Sequence, residues 1–397
     1  MTVEDADRVC ENLQRAAPVR IAILDDLFPC PVSGFRFEEF SSYLDEMQGV
    51  AVYSNGQALP LVAETRPIEA LIAEHVAANP RHLGRIHPFR PGQFPIAGAY
   101  YAIFLNNIVQ HVEAIERTGK PFAFTLYPGG GFQIGDKLSD NKLQRVFGSP
   151  SFQRVIVTQP YTRDYLLKVH ALPLSKIHYL QGGMVPRAAF VRPQQRRNFG
   201  ISKASLDIGF VANRYIPTGE DKGYDLFVET ADALSRKGVN ATYHVVGPWD
   251  ATLIPLGDLA TRFVFYGFVD TEKLRELGQM LDLILSPNRP GILAKGAFDG
   301  FPTGSCVEVG LQEAAIFCTD VLKLNTDFRD GVDLVLVEPN VDNIVRRLWP
   351  VIQNPKSLAK IGRNGRRRLR RAFGRERQLL PRLAILRTMN TRQENKG

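Results

Sequence analysis

Residues 282–320 read DLILSPNRPGILAKGAFDGFPTGSCVEVGLQEAAIFCTD. Apolar, β-branched residues predict short buried strands at both ends, over 282–287 and 315–320. The loop between them is rich in glycine and proline, and Ser305 is predicted to be the N-cap of a helix that precedes the second strand. A strand, a helix and a second strand in this order form a crossover unit, which is typical of a parallel sheet covered by helices.

The same alternation of strands and helices continues on both sides of this unit. Further strands are predicted over 19–26, 50–54, 121–127, 154–159, 176–181, 206–213, 241–247, 262–267 and 333–338. Helices are predicted over 37–47, 108–119 and 225–238. The chain is therefore predicted to be an α/β protein with parallel sheets.

A segment rich in proline, glycine and arginine divides the chain into two halves. It predicts a linker near 190–205, between one α/β domain over 1–190 and another over 191–375, followed by a tail over 376–397 that could pack back on the first domain. Ligands of such sheets bind outside the carboxyl ends of the strands, so we expect a site in the cleft between the domains.

Composition indicates a globular cytoplasmic protein. Of the 397 residues 44% are hydrophobic and 23% are charged, and we find neither a run of eighteen apolar residues nor the apolar core of a signal peptide. The four cysteines have no metal-binding or disulfide-framework spacing.

The net charge of +8 is concentrated in the run GRNGRRRLRRAFGRER at 362–377. The run is interpreted first as the solvated face of a helix, and second as a contact to an anionic membrane surface. Peripheral location on the inner face of the membrane is therefore an alternative to a purely cytoplasmic one. No nucleic-acid partner is predicted, because no recognition motif accompanies the charge.

Two acids and several small residues surround the predicted helix start. Free N–H groups at a helix N-terminus bind anions, and glycines at 300 and 304 would allow a ligand to approach the backbone. Glu308 is expected in the first helical turn, where a carboxylate is favoured and could accept hydrogen bonds from vicinal hydroxyls of a ligand. The alternative is an ordinary capping box without a ligand.

Two cations follow the strand predicted over 206–213. Arg214 and Lys222 lie on the loop before the next helix, and guanidinium and ammonium groups suit a diphosphate. The alternative is a pair of ordinary surface cations.

At 205–350 the sequence resembles the retaining GT-B glycosyltransferases of the glycosyl transferases group 1 (family 4-like) type. The similar segments are FVANRYIPTGEDKGYDLFVETADAL (210–234), YHVVGPW (243–249), FVFYGFVDTEKLREL (263–277) and DGFPTGSCVEVGLQEAAIF (299–317). That family has two acids separated by seven residues, whereas Asp299 and Glu308 are separated by eight. The resemblance implies a GT-B fold of two Rossmann-like domains, the first binding the acceptor and the second the nucleotide-sugar donor.

The resemblance also implies residue roles. Arg214 and Lys222 would bind the donor diphosphate, Asp299 the transferred sugar and Glu308 the ribose hydroxyls. The remaining donor-binding residues implied are Gly300, Phe301, Thr303, Gly304, Ser305, Ser33, Gly34 and Gly130. Many members have a histidine near Tyr127, where this chain has YPGGGF.

The resemblance implies transfer of a hexose or deoxyhexose from a nucleotide-diphosphate sugar to a hydroxyl of a glycan or glycolipid, as in polysaccharide biosynthesis, with retention of configuration. No metal or other cofactor is expected, because no DxD or His/Cys grouping has ligand spacing. Three alternatives stay open: a catalytically silent sugar-nucleotide-binding or scaffold protein of the same fold, a nucleotide-sugar epimerase, and a basic adaptor.

Overall fold

A computed structural model describes residues 18–90, 92–194 and 196–389. Within these residues the strands form two separate parallel sheets of seven and six strands. The predicted α/β class with parallel sheets is therefore confirmed.

The seven-stranded sheet belongs to the first half of the chain and has the order β3-β2-β1-β4-β5-β6-β7. Its strands are β1 (Ile21–Asp25), β2 (Val50–Ser54), β3 (Ile86–Pro88), β4 (Ala99–Ile103), β5 (Phe122–Leu126), β6 (Phe152–Val157) and β7 (Ile177–Tyr179). Every residue of β1, β4 and β5 is buried, as expected for central strands covered on both faces. We call the part of the chain that carries this sheet the first domain.

The six-stranded sheet has the order β10-β9-β8-β11-β12-β13, and the part that carries it is called the second domain. Its strands are β8 (Leu206–Val211), β9 (Ala241–Val246), β10 (Phe263–Phe265), β11 (Leu283–Ser286), β12 (Ala315–Thr319) and β13 (Val335–Val337). Strand β8 pairs with β9 on one side and β11 on the other. The loops after β8 and β11 therefore leave the same edge of the sheet side by side.

Helices cover both sheets. They are α1 (Gly34–Glu46), α2 (Ile68–Ala78), α3 (Leu105–Val109), α4 (Val112–Thr118), α5 (Lys137–Phe147), α6 (Pro160–Lys168), α7 (Tyr224–Arg236), α8 (Thr271–Met280), α9 (Gly304–Gly310), α10 (Val341–Gln353), α11 (Pro355–Phe373) and α12 (Arg375–Thr388). Short 3-10 helices lie at Leu59–Val62, Pro80–His82, Leu174–Lys176, Arg187–Phe190 and Gly257–Arg262.

Two strands were missed by the sequence analysis, and one helix was placed wrongly. Strands β3 and β4 lie in a stretch without clear periodicity, because the all-buried β4 sequence AYYAI has no alternation. The helix predicted over 108–119 is two helices, α3 and α4, which a break at Gln110 and His111 separates.

The last helix crosses from the second domain back to the first. Leu379, Leu383 and Leu386 of α12 are buried in the same apolar cluster as Phe40 and Tyr101 of the first domain. The last described helix therefore packs on the first domain. The division at 190 and the extent of the tail stay predictions, and residues 390–397 lie outside the described residues.

Candidate active site

Loops from both sheets meet in the cleft between the domains. The backbone N–H of Ile134, after β5, donates to the carbonyl of Gly296, after β11, at 2.9 Å. The backbone N–H of Phe301 donates to Oε1 of Gln159, which follows β6, at 3.3 Å. The loop after β11 is therefore held at the carboxyl ends of the first-domain strands, as expected for a site between two such sheets.

Lys222 and Asp299 form the central ion pair of this cleft. Nζ of Lys222 lies 2.6 and 2.8 Å from the two carboxylate oxygens of Asp299, because their loops follow the adjacent strands β8 and β11. Lys222 is only 8% exposed. Burial disfavours the charged form of Lys222 and by itself would lower its pKa. The combined attraction of Asp299 and the other nearby groups outweighs burial, so the pKa of Lys222 is raised. The lysine is therefore a fixed cation.

A third group holds Asp299 in place. Nδ2 of Asn288 donates to Oδ2 of Asp299 at 2.6 Å, and Oδ1 of Asn288 accepts from the hydroxyl of Ser286 at 2.7 Å. Asn288 was not predicted as a site residue, although its place one residue beyond Pro287 at the strand end was a usable signal.

Asp221 adds a second carboxylate next to the lysine. It is 3% exposed, and neither of its oxygens has a hydrogen-bond partner within the described residues. Burial is the main reason why the pKa of Asp221 is raised. Nζ of Lys222 lies 3.8 Å from Oδ2 of Asp221, so Asp221 adds to the negative potential that keeps the lysine charged. Asp221 was not predicted from the sequence either.

Arg214 lies on the loop that also carries Lys222. Its guanidinium donates to the carbonyl of Pro217 at 3.4 Å. It forms no ion pair in the part of the chain that is described, so it remains a partly exposed cation able to bind an anion.

Helix α9 begins two residues earlier than predicted. Thr303, not Ser305, is the N-cap: its hydroxyl accepts from the backbone N–H of Cys306 at 3.4 Å. Both residue types are good caps, and the extended backbone of Thr303 decides between them. Gly304 is the first helical residue and Ser305 the second. The prediction that Glu308 lies in the first turn is therefore wrong, since it is the fifth residue of the helix.

Glu308 has no hydrogen-bond or ion-pair partner among the described residues. Burial raises the pKa of its carboxyl to about 7. It faces the start of α1 in the first domain, where a Cβ added to Gly34 would lie 3.7 Å from its Oε1. An acid that is desolvated and unpaired has its full hydrogen-bonding capacity left for a ligand.

Ser33 and Gly34 form the first-domain side of this contact. Ser33 is the N-cap of α1, but its side chain makes no capping hydrogen bond. An added Cβ on Gly34 would lie 3.0 Å from Pro186 and also 3.0 Å from Thr271 of the second domain, so these two side chains leave little room for a larger residue here. The implied role of Ser33 and Gly34 in donor binding stays a prediction.

The three glycines of YPGGGF have a packing explanation. All three have positive φ, and an added Cβ on Gly130 would lie 2.3 Å from the ring of Phe104. On Gly131 it would lie 2.0 Å from the side chain of Asn106. Close approach within the first domain therefore accounts for these two glycines without a ligand, and donor binding by Gly130 stays a prediction.

Tyr127, before these glycines, is fixed in the first-domain core. Its hydroxyl donates to Oε2 of Glu39 at 3.0 Å, and Glu39 also accepts from Tyr101 and Tyr43. Glu39 and Arg382 of α12 are fully buried, 3.8 Å apart. Burial and the nearby Glu39 charge raise the pKa of Tyr127. It is therefore a neutral structural group at a position where the resembled family often has a histidine.

A small pocket opens between β11 and the end of β12. Asp299, Gly300, Phe301 and Thr303 line one side of it, and Thr319 lies on the other. Of the residues whose roles the resemblance implies, five are thus brought together on one sheet edge: Lys222, Asp299, Gly300, Phe301 and Thr303.

Solved structures with the same architecture are known. A glycosyltransferase from Rickettsia africae is 14% identical, with a TM-score of 0.65 over 94% of this chain and 99% of that one. HepE from Anabaena, in complex with UDP and glucose, is 15% identical, with a TM-score of 0.62 over 95% and 98%. Sucrose-phosphate synthase from Thermosynechococcus elongatus is 14% identical, with a TM-score of 0.60 over 95% and 98%. The chain has the GT-B fold.

The GT-B fold confirms the predicted arrangement of two Rossmann-like domains. No family model and no curated protein matches the sequence. Within the described ranges, no helix has the length and apolar character to cross a membrane. His, Cys, Asp and Glu side chains there form no group of three suited to a metal ion, and independence from metal stays a prediction.

Proposed function

We propose that this chain is a glycosyltransferase that moves a sugar, a hexose or deoxyhexose, from a nucleoside-diphosphate sugar to a hydroxyl of a glycan or glycolipid. The observation that carries the proposal is the arrangement on one edge of the second sheet: the buried cation of Lys222, fixed by Asp299, and the carboxyl of Glu308, which has no partner in the described part of the chain. The GT-B fold supports it, since HepE, a structure of that fold, was crystallised with UDP-glucose.

The second domain would bind the donor and the first the acceptor. In the reaction the bond between the anomeric carbon and the leaving phosphate oxygen breaks, and negative charge develops on the diphosphate. Lys222 and Arg214 would stabilise that charge, which is electrostatic catalysis by groups already in place. Because Asp299 and Asn288 fix the ammonium group, little reorganisation is needed when the charge develops.

Sugar transfer would proceed with retention and without a metal ion. The acceptor oxygen bonds to the anomeric carbon on the face that the diphosphate leaves, and its proton passes to the leaving phosphate oxygen. This route needs no protein base, in keeping with Tyr127, whose hydroxyl is engaged by Glu39. Glu308 would accept hydrogen bonds from the ribose hydroxyls and position the donor.

The proposal is tested first by thermal denaturation with UDP-, GDP-, dTDP- and CDP-sugars. A ligand that binds the folded state raises the melting temperature by mass action. We expect one nucleotide to stabilise the wild type and not Lys222→Ala, while Lys168→Ala, which removes an exposed lysine of α6, behaves as wild type. If no nucleotide sugar shifts the melting temperature, the assignment of a donor site to this cleft is wrong.

Turnover of the stabilising donor then separates enzyme from binding protein. Release of the nucleoside diphosphate in the presence of glycan acceptors, unaffected by EDTA, would support metal-independent transfer. Binding without release under all acceptors would favour the silent sugar-nucleotide-binding protein, and interconversion of the donor sugar would favour the epimerase. Stereochemistry of the product, read by NMR, tests retention.

A further inference from the structure

A second cavity, of about 430 Å³, lies on the second domain between α11 and the loop that precedes β13. Four arginines line it: Arg367, Arg368 and Arg371 from the helix, and Arg329 from the loop. Asn364 completes the helical side. We call this cavity the arginine pocket. It shares no lining residue with the pocket at Asp299.

Helical spacing brings the helix residues of the arginine pocket to one face. Positions 364, 367, 368 and 371 follow the i, i+3, i+4, i+7 pattern, which places side chains together along one side of a helix. The opposite side of α11 is anchored in the protein, with Ile361, Leu369 and Phe373 buried. The guanidinium groups are therefore presented on a fixed support.

Two of the four guanidinium groups are held in position by carboxylates. Arg368 donates to the carbonyl and carboxylate of Asp327 at 2.5 and 2.8 Å. Arg329 donates to both carboxylate oxygens of Asp333 at 3.1 Å. These pairs orient the two arginines on the wall of the pocket while leaving part of each guanidinium without a protein acceptor.

The other two arginines are uncompensated. Arg367 and Arg371 are exposed and make no hydrogen bond or ion pair with any residue that the structure describes. They are four residues apart, a spacing at which like charges on a helix repel each other. Four guanidinium groups against two carboxylates leave the pocket with an excess of positive charge that an anion would neutralise.

The positive charge continues along α11 beyond the pocket. Exposed cations recur at Lys356, Lys360, Arg363 and Arg370, and residues 355–373 contain no acid. The one aromatic residue of the helix, Phe373, is buried, so this surface offers no base-stacking platform of the kind that single-stranded nucleic acid requires. The charge pattern favours a compact anion instead.

We propose that the arginine pocket is a binding site for a phosphate group. Guanidinium groups bind phosphate oxygens through paired, charge-assisted hydrogen bonds, and several converging arginines suit the three or four oxygens of a phosphate or phosphate ester. The amide of Asn364 adds a neutral donor. The phosphate can belong to a free phosphorylated compound or to the headgroup of an anionic lipid.

Two probes distinguish these sources. Inorganic phosphate is titrated into the full chain and followed by calorimetry, and phosphatidylcholine vesicles with or without phosphatidylglycerol are tested by cosedimentation. The pocket variant is Arg367→Gln/Arg371→Gln. The matched control is Lys356→Gln/Lys360→Gln, which removes the same charge from exposed positions of the same helix outside the pocket. Unchanged melting temperatures establish that both variants are folded.

We expect the pocket variant to bind its probe roughly tenfold or more weakly, because charge-assisted hydrogen bonds are lost. The affinity of the control variant should fall by much less. Loss of phosphate binding identifies a free phosphate site, and loss confined to phosphatidylglycerol vesicles identifies a headgroup site. The proposal is overturned if neither probe binds the wild type. It is also overturned if both variants weaken binding equally, because binding would then report only the overall charge of α11.

Discussion

The two sides of the cleft differ in whether their polar side chains already have partners within the protein. On the first-domain side, Tyr127 is engaged by Glu39 and Gly130 packs against Phe104. On the second-domain side, Glu308 has no partner among the residues that the structure describes, and Asp299 fixes the ammonium group of Lys222. The first side is therefore built for rigidity, and the second retains hydrogen-bonding capacity for a ligand. Substitutions on the first side should change stability, and those on the second should change donor binding and turnover.

The largest effect is expected from Glu39→Ala in the buried network of the first domain. It leaves Arg382 as an unpaired charge in the core and three tyrosine hydroxyls without their acceptor, which costs about 3–5 kcal/mol of unfolding free energy. Urea denaturation measures the loss. Glu113→Ala, which removes an exposed carboxylate paired with Arg117, serves as control. A Glu39→Ala protein as stable as wild type would contradict the description of this side.

Lys222→Ala should mainly affect chemistry. Removing one preorganised charge from the leaving diphosphate is expected to lower kcat/KM by about 10²–10³-fold. The assay uses the donor identified by thermal shift, and Lys168→Ala is the control. An activity within a few fold of wild type would mean that Lys222 is only a structural partner of Asp299.

Glu308 should make stability depend on pH. Its pKa of about 7 lies above the ordinary value of 4.5, so the folded state binds more protons than the unfolded state between these values. The contribution of Glu308 to wild-type stability should therefore fall as pH rises from 5 to 8, by about 2 kcal/mol for this partly exposed group. Glu308→Gln should remove that part of the pH dependence. If stability depends on pH in the same way in both proteins, the carboxyl of Glu308 is not desolvated in the folded state.

The smallest effect is expected where the two sides meet. Gly34→Ala places a methyl group 3.0 Å from Pro186 and Thr271, which requires shifts of a few tenths of an ångström and costs about 1 kcal/mol. Because the contact lies beside Glu308, we also expect KM for the donor to rise several-fold. An unchanged KM with lowered stability would show that Gly34 contributes to packing and not to donor binding.

Much of the fold was predictable from the sequence, and the exceptions have physical causes. Periodicity and β-branched runs located the strands that bound the site, because parallel strands buried on both faces are continuously apolar. The same reasoning failed for β4, because Ala99–Ile103 is a buried five-residue run without alternation, which periodicity alone does not distinguish from a buried helical segment. It also placed the cap of α9 at Ser305, since residue type alone cannot choose between two neighbouring hydroxyl residues.

The sequence by itself determined the α/β class, the cations and acids available to the cleft and the absence of acids from α11. Only the tertiary structure decided which of these groups are paired. Lys222 and Asp299 are 77 positions apart and meet because β8 and β11 are neighbours in the sheet. The state of a charge depends on its burial and on partners distant in sequence. That is why two acids close together in the chain, Asp299 and Glu308, differ: one is held by a lysine and an asparagine, and the other has no partner among the described residues.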